Sequence, residues 1–228
     1  MIARTKLADR KLPRYTRGEE IFNMVSHIVG AALGVAALVL CVVVSALKGS
    51  AIAVVSSSIY GASLVMLYTM SSVYHGLRCE MGKKVMQVID HCTIYFLIAG
   101  TYTPILLCGI MRVDKVAAWV IFGVVWGFAA LATTLTAVDL KKYQKFSMIC
   151  YIGMGWCIVL AAKATMEALS MPGIVLLLTG GVAYTVGAVL YGAGKKHRYM
   201  HSVFHLFVVA GSILHFFCIL FYVIYSYN

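Results

Sequence analysis

The chain has 228 residues, 62% of them hydrophobic and only 12% charged, and a formal net charge of +11. That much apolar side chain exceeds what a soluble domain of this length can bury, which excludes the soluble class. The positive charge does not point to nucleic acid, because the lysines and arginines stand in short clusters between long apolar runs, the pattern that orients membrane proteins.

In chain order, the opening MIARTKLADRKLPRY has no apolar core and no small-residue cleavage site, so no cleavable signal peptide is expected there. It predicts a basic tail over residues 1–20. A spanning helix needs ~20 mostly apolar residues. Seven runs meet that need, at 21–46, 52–76, 86–108, 116–138, 146–164, 173–192 and 201–225. Their connections are short and polar, the longest in the group being LRCEMGKK at 77–84, DLKKYQK at 139–145 and GKKHRYM at 194–200. The expectation is an all-α fold: one seven-helix transmembrane bundle over 21–228, in a multi-pass protein of the cell membrane. Fifteen of the basic residues fall on the side that holds the N-terminus and four, Lys48, Arg112, Lys115 and Lys163, on the other. That bias predicts a cytoplasmic N-terminus and leaves Tyr227-Asn228 outside. The seven cysteines lie mostly inside apolar runs without a CxxC pair, which predicts free buried thiols.

Topology also assigns depth. His75 closes the second span, Asp90 lies about one turn into the third, and His201 and His205 occupy the first two turns of the seventh. At ~1.5 Å rise per residue these four share a slab one to two turns thick. Ionisable groups at bilayer depth are costly and usually functional. His201 and His205, four apart, share a helix face, and His75 supplies a third nitrogen from another helix. Three neutral imidazoles and an open fourth position fit a catalytic zinc. Asp90 could ligate the ion or hold a water whose pKa such an ion lowers to near 7. Ser71, at i−4 from His75, could assist a ligand or substrate oxygen, or bond its own helix backbone. The competing readings are interfacial histidines, an Asp90 pair with Lys83 or Lys84, and a proton relay.

Four further histidines look like bystanders. His91 points about 100° away from Asp90. His197 sits in a basic connection, and His215 lies ~15 Å deeper than His205, where a hydrogen bond across the bundle is expected. His27, with Glu20 and Asn23, is expected at a solvated helix start, with Glu20 near the positive end of the helix dipole, the alternative being a supporting role beneath the site. Pro104, in Gly100-Thr101-Tyr102-Thr103-Pro104, removes a backbone bond and should kink the third helix, which could open a cavity beside Asp90 or merely shape packing. Tyr222, Tyr225 and Tyr227 make an outer aromatic belt.

Four stretches together resemble the haemolysin III family, within the wider progestin and adipoQ receptor family. They are Ser71 to His75, Asp90 with the downstream Gly100 and Pro104, His201 to Val209 with the later His215, and Glu19-Glu20-Ile21-Phe22-Asn23 with Ser26-His27. The resemblance covers nearly the whole chain. It implies zinc held by His75, His201 and His205 with Asp90 near its water, and, through related ceramidases and receptors, zinc-dependent hydrolysis of a lipid amide. No long N-terminal extension like that of the eukaryotic receptors is expected, so hormone recognition is not carried over. Two function classes are thus expected to compete. One is a zinc hydrolase of a membrane-lipid amide or ester, with Asp90 as base and Ser71 assisting. The other is a non-enzymatic membrane protein, either a pore-forming haemolysin or a receptor-like regulator of membrane state. The few polar residues in most spans argue against a wide channel.

Overall fold

Among the described residues, seven helices are long and apolar enough to cross a membrane: α1 Arg17–Leu47, α2 Ala51–Gly76, α3 Glu80–Arg112, α4 Lys115–Val138, α5 Gln144–Ala168, α6 Met171–Ala193 and α7 Met200–Ile224. A computed structural model describes residues 5–194 and 197–226, and among these there is no strand. Arg4, Lys195 and Lys196, counted above among the orienting cations, and the terminal Tyr227-Asn228 lie outside the described residues.

The helices begin earlier than the apolar runs because polar caps start them. Thr16 and Glu19 form a capping box ahead of α1, Ser50 accepts from the Ala53 N–H at the start of α2, and Asp114 accepts from the Ala117 N–H at the start of α4. Each satisfies donors that a helix N-terminus leaves open. Consecutive helices pack side by side, α1 on α2, α2 on α3, α3 on α4 and α6 on α7, and α7 returns to α1. Small residues set some of these contacts. A Cβ at Gly61 of α2 would stand 2.6 Å from the Leu38 Cα of α1, so only glycine permits that approach.

Burial is uneven in a way that bears on function. In its most apolar stretch α3 is 78% buried and α2 and α7 are each 50% buried, against 22–28% for α1, α4, α5 and α6. The three helices that carry Ser71, His75, Asp90, His201 and His205 are thus the three most enclosed. After Pro104 the hydrogen-bond register of α3 changes: the chain runs on as a π-helix over Ile105–Gly109 and a 3₁₀ turn over Ile110–Arg112. Helix α5 is interrupted as well, turning 3₁₀ across Cys157–Ala161. Tyr102 of α3 repairs the interruption, its hydroxyl donating to the Gly155 carbonyl (2.8 Å) and accepting from the Ile158 N–H (2.9 Å). Freed backbone groups at bilayer depth need such partners. All seven cysteines are free thiols, five of them buried, as expected.

Candidate metal centre

The end of α2 and the first turns of α7 bring three imidazoles together. The Nε2 atom of His201 lies 3.2 Å from His75 Nε2 and 3.1 Å from His205 Nε2. His75 and His205 are 3% and 1% exposed. The three residues form a group able to hold a metal ion, with the ligand atoms all within 4.8 Å of one another. Asp90 falls outside that group.

Proton bookkeeping favours a cation at this point. The His75 Nδ1–H donates to Glu20 Oε2 at 2.7 Å, which leaves Nε2 with its lone pair. On the opposite side, the His205 ring donates to the Asn23 backbone carbonyl, with Nδ1 3.4 Å from Ser26 Oγ. Its Nε2 is therefore also turned inward. One N–H on His201 can satisfy only one of its two Nε2 neighbours, so at least one contact sets lone pair against lone pair. A cation accepting from all three removes that conflict. The separations agree too, since two ligand nitrogens on a tetrahedral zinc with ~2.0–2.1 Å bonds stand roughly 3.3 Å apart. The donor set of three neutral imidazoles fits zinc.

For Glu20 the contacts favour the alternative, support beneath the site, over a solvated helix start: it bonds His75 and is itself held by the Lys83 ammonium at 2.5 Å. A carboxylate on the outer nitrogen of a metal-ligating histidine sets the tautomer and raises the ligand's basicity. The same contact occupies Lys83, while Lys84 bonds Glu80 (2.7 Å) and the Ala8 carbonyl, so neither lysine serves Asp90. Asn23 and His27 are not solvated either, at 0% and 3% exposed. Asn23 Oδ1 accepts from Ser202 Oγ at 2.6 Å, tying α1 to α7 beside His201. Glu19 adds a second tie, accepting from the Tyr199 N–H at 2.7 Å. Tyr199 there holds φ +60°, a left-handed conformation that a tyrosine seldom adopts, immediately before α7 starts. The pattern missed these partners because they join residues 55 to 180 positions apart.

Asp90 and Ser71 meet as a pair. The Ser71 hydroxyl bonds the Asp90 carboxylate, whereas the neighbouring Ser72 is the one that bonds its own helix, at Tyr68 O. Both line a cavity of about 150 Å³ that His201 and His205 also border. From this polar mouth it runs between α3, α5, α6 and α7 past Ile98, Trp156 and Val208 to His215. His27 lines it as well, stacked on the His205 ring at 3.6 Å, and neither of its ring nitrogens has a protein partner. Of the remaining histidines, His91 donates to the Gln87 carbonyl (2.8 Å), His197 is exposed, and His215 donates to the Leu177 carbonyl (3.0 Å), as a bond across the bundle requires.

Residues 5–16 form an arm that folds back over the histidines. The Thr5 N–H donates to Asp139 Oδ2 (2.8 Å), Arg10 donates to Gln87 Oε1 (2.8 Å), and Tyr15 stacks on His201 with ring centres 5.1 Å apart. Burial pushes the Tyr15 phenol above its ordinary pKa, so it covers the cluster as a neutral ring. Burial also works against the Asp139 charge, but backbone donors from Thr5 and Lys142 outweigh it and hold the carboxyl below its ordinary range.

Comparison with known proteins agrees with this architecture. A family model described as Haemolysin-III related matches residues 15–216. The chain is 38% identical over 216 residues to Hemolysin-3 of Bacillus cereus, covering 94% of this chain and 97% of that protein. It is 37% identical over 208 residues to the Hemolysin-3 homolog of Bacillus subtilis (strain 168), covering 91% and 96% respectively. The human Monocyte to macrophage differentiation factor is 26% identical over 175 residues, 72% of this chain and 69% of that one. No solved structure matches. The chain is a multi-pass membrane protein that belongs to the haemolysin III family, within the wider progestin and adipoQ receptor family.

Proposed function

We propose that this protein is an intramembrane zinc hydrolase that cleaves an amide or ester of a membrane lipid, with its N-terminus and its metal centre on the cytoplasmic side. The observation that carries the reading is the convergence of three Nε2 atoms, from His75, His201 and His205, at one end of an apolar cavity that His201, His205, Asp90 and Ser71 line. The orientation rests on the fifteen-to-four bias of basic residues.

His75, His201 and His205 would hold the ion, with Glu20 and Asn23 fixing two of the rings. Zinc so held supplies Lewis acidity, polarising the substrate carbonyl and making water acidic enough to attack at neutral pH. Asp90 takes a proton from the attacking water on a carboxylate oxygen. As the carbonyl carbon gains the water oxygen and loses its nitrogen or alkoxy oxygen, Asp90 returns the proton to the leaving group. Ser71, bonded to Asp90, sets which carboxylate oxygen faces the reaction. The acyl chain lies along the cavity, whose wall of Ile94, Leu97, Ile98, Phe204 and Val208 excludes water.

The test pairs metal analysis with turnover. Purified wild type should hold about one zinc per chain, and His75→Ala and His205→Ala should each lose it. Asp90→Asn should keep the zinc and lose hydrolysis across a panel of lipid amides and esters. Zinc-replete wild type without turnover on that panel would overturn the enzymatic reading. Retention of zinc by either histidine variant would overturn the metal centre. The name of the Bacillus cereus relative suggests lysis for that protein. Here a pore would need a continuous polar lining, and the cavity past Asp90 is walled mainly by apolar side chains.

A further inference from the structure

One polar side chain bordering the inner end of the cavity, His215, has a ring nitrogen without a protein partner and no part in the proposed chemistry. His215 is 91% buried, lying at 9% exposure, and borders both the main cavity and a smaller one that adjoins it beside Tyr102, Trp156 and Gly181. Its protonation is fixed by its partner: Nε2 lies 3.0 Å from the Leu177 carbonyl, which can only accept, so Nε2 carries the proton. Nδ1 is then a lone-pair acceptor, and it has no protein partner. The other polar groups nearby are committed. Tyr102 serves Gly155 and Ile158, Trp156 Nε1 donates to Thr185 (3.0 Å), Thr185 donates to the Gly181 carbonyl, and Tyr184 is bonded to Ser212 (2.7 Å). The ring position is built in as well. His215 packs directly over Gly180 of α6, in space that any side chain there would fill. A buried acceptor without a partner costs free energy that a matching donor recovers.

We propose that His215 is a second recognition point in the cavity, accepting a hydrogen bond from a hydroxyl group carried partway along the aliphatic chain of the bound lipid. It rests on the reading that a lipid chain occupies the cavity. His215 lies ten residues beyond His205 on α7, about 15 Å along the helix. The hydroxyl it selects is therefore far from the carbonyl, and an α-hydroxyl beside the carbonyl would remain at the mouth. The chemical class is a hydroxylated long-chain fatty acyl group.

The experiment is equilibrium binding to zinc-loaded, detergent-purified protein, read by displacement of a fluorescent fatty acid. The competitors are a saturated fatty acid, its mid-chain hydroxy derivative and its α-hydroxy isomer. Wild type should bind the mid-chain hydroxy acid about three- to tenfold more tightly than the parent, the range one added hydrogen bond supplies. The α-hydroxy isomer should show no such gain. His215→Phe should bind the parent as before and lose the preference, while His215→Gln, which keeps an acceptor, should restore part of it. Gly180→Ala, which pushes the ring aside, should weaken the preference in a chain whose His215 is unchanged, and this arm decides the matter if His215→Phe does not fold. Equal affinity of wild type for parent and mid-chain hydroxy acid, or an undiminished preference in His215→Phe, would overturn the proposal while leaving the cavity as a lipid site. Failure of all three acids to bind would overturn the lipid reading and this proposal together.

Discussion

At the mouth of the cavity three imidazole nitrogens converge, that of His201 within hydrogen-bond distance of the other two, and two of the rings are held from behind by Glu20 and by α1. At the inner end a single imidazole stands in an apolar wall, its donor spent on the Leu177 carbonyl and its acceptor free of protein partners. α7 contributes to both, with His201 and His205 at the mouth and His215 ten residues beyond His205, while His75 reaches the mouth from α2. The mouth concentrates donors of electron pairs and so suits a cation. The inner end disperses them, so it suits a hydrocarbon chain with at most one polar interruption. The contrast shows that the bond made by one ring nitrogen of a buried histidine sets what the other nitrogen can offer.

The sharpest way to separate the two ends is to disable chemistry without touching the ligands. Asp90→Asn keeps shape and the bond to Ser71 but cannot take a proton. Turnover is expected to fall about 10²- to 10⁴-fold, the usual worth of a positioned base. Zinc content by elemental analysis should stay at wild-type level, as should fatty-acid affinity at the inner end. Equal loss of zinc and activity would instead make Asp90 part of the metal cage.

Glu20→Gln tests the support behind the mouth. The amide no longer enforces a proton on His75 Nδ1, and the ion pair with Lys83 is lost. Zinc affinity by competition with a chelator should weaken about 10- to 100-fold, as for other outer partners of metal histidines. Fatty-acid binding should not move. An unchanged zinc affinity would return Glu20 to the role of an ordinary helix-start carboxylate.

Tyr102→Phe probes the inner wall in the same way. It removes the hydroxyl that serves Gly155 and Ile158 where α5 breaks. Hydrogen bonds between membrane helices average about 0.6 kcal/mol and reach about 1.7. Thermal unfolding in detergent should show a loss in that range, with zinc content unaltered. A simultaneous loss of zinc would mean that the two ends are mechanically coupled through α3.

Which parts were legible in the sequence follows from how locally each is encoded. The seven spans are written in runs of apolar residues, so only their capped ends differed. His201 and His205 are readable as an i, i+4 pair, and His75 joins them through depth alone, because topology fixes which end of each helix is inside. Glu20 could not be read this way. Its partner is 55 residues distant, and a glutamate in a first helical turn already has a sufficient local explanation in the helix dipole. The Ser71 choice between helix backbone and site was likewise undecidable from spacing, since Ser72 takes the backbone option one residue later. The arm was hidden for a different reason. Residues 1–20 have the composition of an orienting basic tail, and the arm's docking depends on single contacts to Asp139, Gln87 and Lys84 that leave no pattern.

That arm gives the smallest effect and the finest test of the comparison, because it touches the mouth and not the inner end. Asp139 accepts from the Thr5 and Lys142 N–H groups only as a carboxylate, and its pKa in the folded protein lies below the ordinary value. A lowered folded pKa contributes docking energy that is fully present above the free aspartate value of about 3.9 and is lost as pH falls through the lower folded value. Asp139→Asn should release the arm at neutral pH, and wild type should match it only under acid conditions below that free value. Limited proteolysis near Lys11 and Arg14 reads release directly, and the rate at which a chelator strips zinc should rise as Tyr15 leaves His201. Fatty-acid affinity at the inner end should stay constant in both forms. If it shifted with the arm, the cavity would have to be treated as one site, with Tyr15 as its lid rather than a cover for the metal alone.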